Sequence, residues 1–220
     1  MEIGLAIKRF KELRYNLFQW RSELALGQKV LLAFGFACLT GILAQVRIYL
    51  PWTPVPITGQ TFAVLFSGVF LGRWWGGISQ ALYLGIGMVG IPWFAGGSGG
   101  IGVIAGPTGG YLIGFIISAL FIGYFVDRYI KVRCLLNMLA LMLFANFLLI
   151  YTPGLLQLYL WFLLVKGSSL SFWGLLEKGA MPFIVGDLIK LGGVVMLATA
   201  ITPKRTYNGE IDADRWKGSE

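Results

Sequence analysis

An aspartate and a lysine three positions apart, Asp187 and Lys190, interrupt the largely apolar run PFIVGDLIKLGGVVMLATA. In a helix that spacing places both side chains on one face. An ionised group at the centre of a bilayer costs on the order of 3 kcal/mol on insertion scales, so such residues turn toward a bundle interior and mark a pathway or a ligand. A carboxylate accepts hydrogen bonds from ligand N–H groups, and an ammonium donates to carbonyl or carboxylate oxygen. The pair suits a small amide-like or acidic ligand. A mutual salt bridge that staples helices together is the alternative.

Other motifs carry less chemistry. Gly97, Gly99 and Gly102 satisfy GxGxxG, but no strand precedes them and no acidic residue follows at about 20 positions, which excludes a dinucleotide site. Gly96, Ser98 and Gly100 satisfy GxSxG, and a serine nucleophile there would need Lys190 as its base, the arrangement of a Ser-Lys intramembrane hydrolase. The chain has no histidine, which removes histidine zinc sites and Ser-His-Asp triads. It also lacks GxxxxGK[ST], so any ATP is hydrolysed elsewhere. Cys38 and Cys134 have no metal-ligand spacing and read as packing residues. No catalytic residue, metal or cofactor is implied.

The elements that position Asp187 and Lys190 are membrane elements. The 220 residues are 57% hydrophobic and 13% charged, with a mean hydropathy of +0.75, beyond the range of ordinary soluble domains. Trp74 to Val126 is a charge-free stretch of 53 residues and Cys134 to Val165 another of 32. A spanning helix needs about 20. The formal charge of +8 does not indicate nucleic acid, because the basic residues fall between apolar runs, where they set topology.

Spans are expected at 29–50, 60–71, 75–89, 109–126, 135–151 and 182–201, the fifth ending at Thr152, Pro153 and Gly154. An interfacial connection with one short helix is expected from 155 to 176. The fold class is thus an all-α integral membrane protein, a bundle of six transmembrane helices with a re-entrant or loop-capped outer ligand pocket. The first span is expected to stay in place, since the basic residues ahead of it are too many for a signal peptide. Residues 1–28 form a basic amphipathic segment whose spacing fits a helix on a membrane surface, a merely solvated leader being the alternative. Residues 29–202 form the membrane domain, and 203–220 a polar tail expected to be mobile. Fourteen basic residues fall on one side of this layout, and Arg47, Lys166 and Lys178 on the other. Both termini are therefore expected in the cytoplasm of a multi-pass cell-membrane protein.

Phe94 to Tyr111, FAGGSGGIGVIAGPTGGY, holds eight glycines and no charge, which disfavours helix. Non-helical backbone at membrane depth needs protein or a water-filled cavity over it, so this loop is a candidate site wall. Ala33, Ala37 and Gly41 recur at four-residue spacing in the first span, as do Gly68, Gly72 and Gly76, and Gly106, Gly110 and Gly114. Such stripes admit close helix approach, within the chain or from a partner.

Three stretches together resemble the BioY family, the biotin-binding S components of energy-coupling-factor (ECF) transporters: PVPITGQTF at 54–62, AGPTGGYLIGF at 105–115 and PFIVGDLIK at 182–190. The resemblance implies a six-helix protein that captures biotin from outside and has no enzymatic activity. By that likeness Asp187 accepts from a ureido N–H, and Lys190 meets either the ureido oxygen or the valerate carboxylate. Trp52, Phe94 and Tyr111 are placed to wall the apolar part of the ligand, with Gly97 in the glycine-rich loop. Thr58 and Gln60 either bind or shape the first loop, and Ser98 is the candidate for the carboxylate. The family's AxxxA stripe, here Ala33 and Ala37 continued by Gly41, implies docking to a transmembrane coupling subunit and, through it, two ATPase subunits. A stand-alone biotin facilitator in the lipid bilayer is the rival transport class.

Overall fold

The computed structural model describes residues 2–216. A helix α1 (Glu2–Glu23) leads into α2 (Leu26–Gln45), after which Arg47–Ile48 (β1) pairs antiparallel with Ile57–Thr58 (β2) around a proline-rich loop. Then come α3 (Gln60–Leu71), α4 (Arg73–Met88), the short α5 (Ile101–Ala105) and α6 (Gly109–Arg128). The chain ends with α7 (Leu135–Phe144), a π-helical turn at Ala145–Ile150, α8 (Tyr151–Leu164), α9 (Phe172–Gly179) and α10 (Met181–Ile201).

Four helical runs are long and apolar enough to cross a bilayer: α2, α6, the continuous Leu135–Leu164 and α10. The 12 residues of α3 reach only about 18 Å at 1.5 Å per residue. Between α3 and α4 the chain turns at Gly72, whose φ of +80° is open to glycine and strained for other residues. The glycine stripes of α3, α4 and α6 serve packing inside the chain. A Cβ on Gly68 would stand 2.8 Å from the Ala119 carbonyl oxygen, and one on Gly114 would stand 2.7 Å from the Cα of Ile150.

Three expectations need correction. The fifth span does not break at Pro153 but continues for 30 residues. A proline inside a helix removes one hydrogen bond and presses on the preceding turn. Here the wide π turn ends just before it, so Pro153 occupies the first turn of α8, where proline is tolerated.

The second correction concerns Ala33, Ala37 and Gly41. Both alanines are 0% exposed. Ala37 joins a core cluster with Tyr83 of α4, and the Gly41 Cα faces the ring of Trp93. Thr40 on the same side donates to Gln80 Oε1 at 3.3 Å. The small residues let α2 approach α4 and the glycine-rich loop, so the stripe packs within the chain.

The third concerns the tail, which is docked rather than free. Arg133 Nη2 pairs with Glu210 Oε1 at 2.6 Å with both side chains 0% exposed. The Asp212 carboxylate accepts from the backbone N–H groups of Ile130 and Lys131 at 2.8 and 2.9 Å. Residues 217–220 lie outside the described residues. At the same end Arg21 of α1 pairs with Asp127 at 2.6 Å and donates to the Tyr207 hydroxyl at 2.8 Å. Burial opposes the charge of Glu210, but hydrogen bonds from Thr206 and Arg133 prevail and hold its carboxyl below the usual range.

Two predictions follow from this packing. Ala33→Trp should lower the melting temperature of the purified chain, overpacking of this kind costing about 1 to 3 kcal/mol or more, while Phe34→Trp on the exposed side should leave it nearly unchanged; equal melting of the two variants contradicts the buried stripe. Glu210→Gln leaves Arg133 buried without its counter-charge and should cost about 3 to 5 kcal/mol. Because the folded pKa of Glu210 is depressed, its contribution is complete above the ordinary glutamate range and disappears as pH falls through the lower folded value. Limited proteolysis of the tail across an acid titration should show wild-type release only below that range, and Glu210→Gln release at neutral pH.

Candidate functional site

Asp187 is placed one and a half turns into α10 and is 3% exposed, with Lys190 one turn further at 18%. The two form an ion pair, Lys190 Nζ to Asp187 Oδ1, at 2.5 Å. The second carboxylate oxygen accepts from Asn146 Nδ2 at 2.8 Å and from the Tyr151 hydroxyl at 2.7 Å. Lys190 also donates to the Thr58 carbonyl oxygen at 2.8 Å, tying α10 to β2.

Capacity remains on both groups. An ionised carboxylate has about four acceptor sites and an ammonium three donors. Three acceptor sites and two donors are engaged by the protein. The salt bridge and a ligand therefore do not exclude one another: the pair presents one acceptor beside one donor. Adjacent N–H and C=O groups of an amide or urea complement that arrangement.

The pair lies on the wall of a cavity of about 300 Å³. The loop between β1 and β2, the glycine-rich segment, the first turns of α6, the end of the π turn and the start of α10 enclose it. Its walls are mainly apolar, from Val55, Phe94, Leu112, Phe115 and Phe183, the composition expected of a small-molecule pocket with a few polar groups fixing orientation. Thr61 also lines it, and its buried hydroxyl has no hydrogen-bond partner among the described residues.

The structure brings together Asp187, Lys190, Tyr111, Phe94, Thr58 and Gln60 around this cavity. Tyr111 offers its ring, since its hydroxyl donates to the Gly179 carbonyl oxygen at 2.7 Å. Gln60 is committed to the loop: Oε1 accepts from Thr58 Oγ1 at 2.8 Å and Nε2 donates to the Tyr83 hydroxyl at 2.8 Å. Trp52 and Gly97 do not line the cavity. Trp52 is 51% exposed and offers only its carbonyl, to Lys178 Nζ; a loop held this way from α9 turns the indole outward. Gly97 instead supports the loop fold, its N–H donating to Gln45 Oε1 at 3.2 Å. Ser98 and Lys190 are not bonded to each other, because Ser98 Oγ donates to the Ala95 carbonyl at 2.8 Å while Lys190 holds Asp187 and Thr58. The nucleophile and base of a Ser-Lys hydrolase are thus not assembled.

Asn146 and Tyr151 are the residues that sequence reasoning missed. Both lie in a charge-free apolar run, where a single amide and a single phenol read as packing. Their separation of five is the signal that could have found them. Five positions diverge on an α-helix, but make little more than one turn of the wider π-helix, and the π turn at Ala145–Ile150 aims both at Asp187.

Apolar helices of spanning length around a cavity with a charged pair in its wall define a helical membrane protein with an internal small-molecule site. Residues 17–207 match the sequence profile described as the BioY family, and the chain belongs to that family, which is one of transporters. A protein named probable biotin transporter BioY from Methanothermobacter thermautotrophicus is 53% identical over 152 residues, covering 69% of this chain and 97% of that one. Another of that name from Pyrococcus horikoshii is 38% identical, covering 74% and 89%. The crystal structure of the S-component for biotin from an ECF-type ABC transporter superposes with a TM-score of 0.70 at 24% identity, covering 80% of this chain and 93% of that one, so the fold is shared.

Tyr151→Phe removes one donor from a buried carboxylate and should destabilise the protein by about 1 to 3 kcal/mol. In an Asp187→Asn background the same change should cost less by more than about 0.5 kcal/mol, the coupling expected of directly bonded groups. Thermal denaturation of the four proteins measures it, and additive losses would mean that the hydroxyl does not act through Asp187.

Proposed function

We propose that this chain is the substrate-capture subunit of an ECF-type vitamin transporter, binding biotin in the cavity beside Asp187 and Lys190. The observation that carries the reading is the free acceptor and donor standing side by side on that ion pair, in a member of a family whose curated relatives are named biotin transporters. The ureido ring of biotin presents N–H and C=O in that adjacency. Asp187 accepts from the N–H and Lys190 donates to the oxygen. Phe94 and Tyr111 cover the thiophane ring and valerate chain, and Thr58 with Gln60 keeps the first loop in place.

In this reading α3 and α4 complete a bundle of six membrane-crossing segments, both termini are cytoplasmic and the cavity opens outward. The excess of basic residues at the end shared by α1, Arg128, Lys131 and the tail supports that orientation. The chain carries no nucleotide-binding motif, so a coupling subunit with two ATPases supplies the energy for release.

Isothermal titration of the purified subunit with biotin should show tight binding that Asp187→Asn weakens by about 1 to 3 kcal/mol and Ser98→Ala leaves within a few fold. Unchanged affinity in Asp187→Asn would remove the ion pair from the site. Uptake by cells lacking the coupling subunit would instead identify a stand-alone facilitator.

A further inference from the structure

The first half of α1 touches almost nothing in the chain. Ile3 is 78% exposed and Leu13 65%, and Ile7 and Phe10 between them are also open. At 100° per residue, Ile3, Ile7, Phe10 and Leu13 share one stripe about 120° wide. Lys11 and Arg9 stand about 40° beyond its two margins, and Arg14 lies within it, its guanidinium over the Phe10 ring at 5.2 Å. Glu12 faces the opposite way. Long basic side chains flanking an apolar stripe let the stripe sink into a headgroup region while the charges stay at its polar level.

The second half of the same helix is fixed to the bundle. Phe18 is buried, Arg21 pairs with Asp127 and donates to the backbone carbonyls of Val69 and Phe70 at the end of α3, and Arg205 of the tail stacks on Tyr15 at 3.8 Å. Only Leu24 and Ala25 separate α1 from α2, a helix of spanning length. The free half therefore extends from a base held at the start of α2. We infer that residues 3–14 of α1 form a docking face for anionic lipid headgroups, with Ile3, Ile7, Phe10 and Leu13 in the interface and Arg9, Lys11 and Arg14 on the phosphates, Lys8 lying on the far side beside Glu12. The charge decides for lipid: Glu12 is the one acid against four bases in that stretch, and the leaflet carries the complementary sign. Residues 3–16 lie outside the stretch that matches the family, so the device belongs to this chain rather than to its shared biotin site.

The full chain, with Cys38→Ala and Cys134→Ala and a single nitroxide label at Phe10→Cys or Glu12→Cys, tests this in vesicles of phosphatidylcholine with and without phosphatidylglycerol. With phosphatidylglycerol, the label at 10 should collide preferentially with oxygen and the label at 12 with a water-soluble nickel chelate. Omitting the anionic lipid, or introducing Arg9→Gln and Lys11→Gln together, should reduce that contrast severalfold. Biotin binding by the double variant reports that the rest of the protein is intact. A label at 10 that stays accessible to the chelate in anionic vesicles overturns the inference. So does shielding that is indifferent to lipid charge and rises with protein density, which would make the occupant a second copy of the chain.

Discussion

The carboxylate of Asp187 is the constraint on which the interior depends. It is buried in a bundle whose surroundings are hydrocarbon, and a lone charge there is tolerated only if its oxygens are engaged. Lys190, Asn146 and Tyr151 engage them. Those three donors come from α10, the π turn and α8, so one anion fixes the relative rotation of two helices. Through Lys190 and the Thr58 carbonyl it also fixes the β-hairpin loop. Positioning of the cavity wall and neutralisation of the charge are one arrangement.

A second polar cluster works at the other end. Arg21, Asp127, Tyr207, Glu210 and Arg133 bind α1, the end of α6 and the tail into one base. Asp127 Oδ2 also accepts from the Arg73 N–H at 3.0 Å, so the α3–α4 turn at Gly72 is held against α6. Between these clusters packing is close and mostly apolar, with glycines where backbones meet and a small buried polar knot of Thr40, Gln80, Ser67 and Ser79. The loops around the cavity are tied by side chains reaching from other elements: Thr53 to the Lys178 carbonyl, Lys178 to the Trp52 carbonyl, Gln45 to the Trp93 and Phe94 carbonyls, and Gln157 of α8 to the Ile104 and Gly106 carbonyls.

Much of this was legible in the sequence because membrane helices announce themselves by length and absence of charge. The bounds of α3, α6 and α10 follow from Pro51–Gly59, Arg128 and Pro182. Asp187 and Lys190 stand out because a charge in an apolar run has few innocent roles. Asn146 and Tyr151 did not stand out, since an α-helical wheel separates them and only the π turn unites them. Pro153 misled for a related reason: its effect depends on the turn before it, which local propensity does not encode. The stripe on α2 was readable as small and not as inward, because spacing identifies a smooth face without saying which helix meets it. The tail looked mobile by its polarity, but the counter-charge that holds it, Arg133, lies 77 positions away from Glu210.

The wide turn at Ala145–Ile150 amounts to one surplus residue in an otherwise regular rod. Five residues of such a turn sweep about the angle that four sweep in an α-helix, so removing one residue there would restore ordinary winding and leave Tyr151–Leu164 near its present rotation. The phenol would stay beside the acid, and Gly154 would keep making room for the ring of Tyr111. The identities of Asn146 and Tyr151 are therefore under tighter constraint than the length between them. Among relatives, an alignment gap of one residue between that amide and that phenol would mark the same pocket carried on a regular helix.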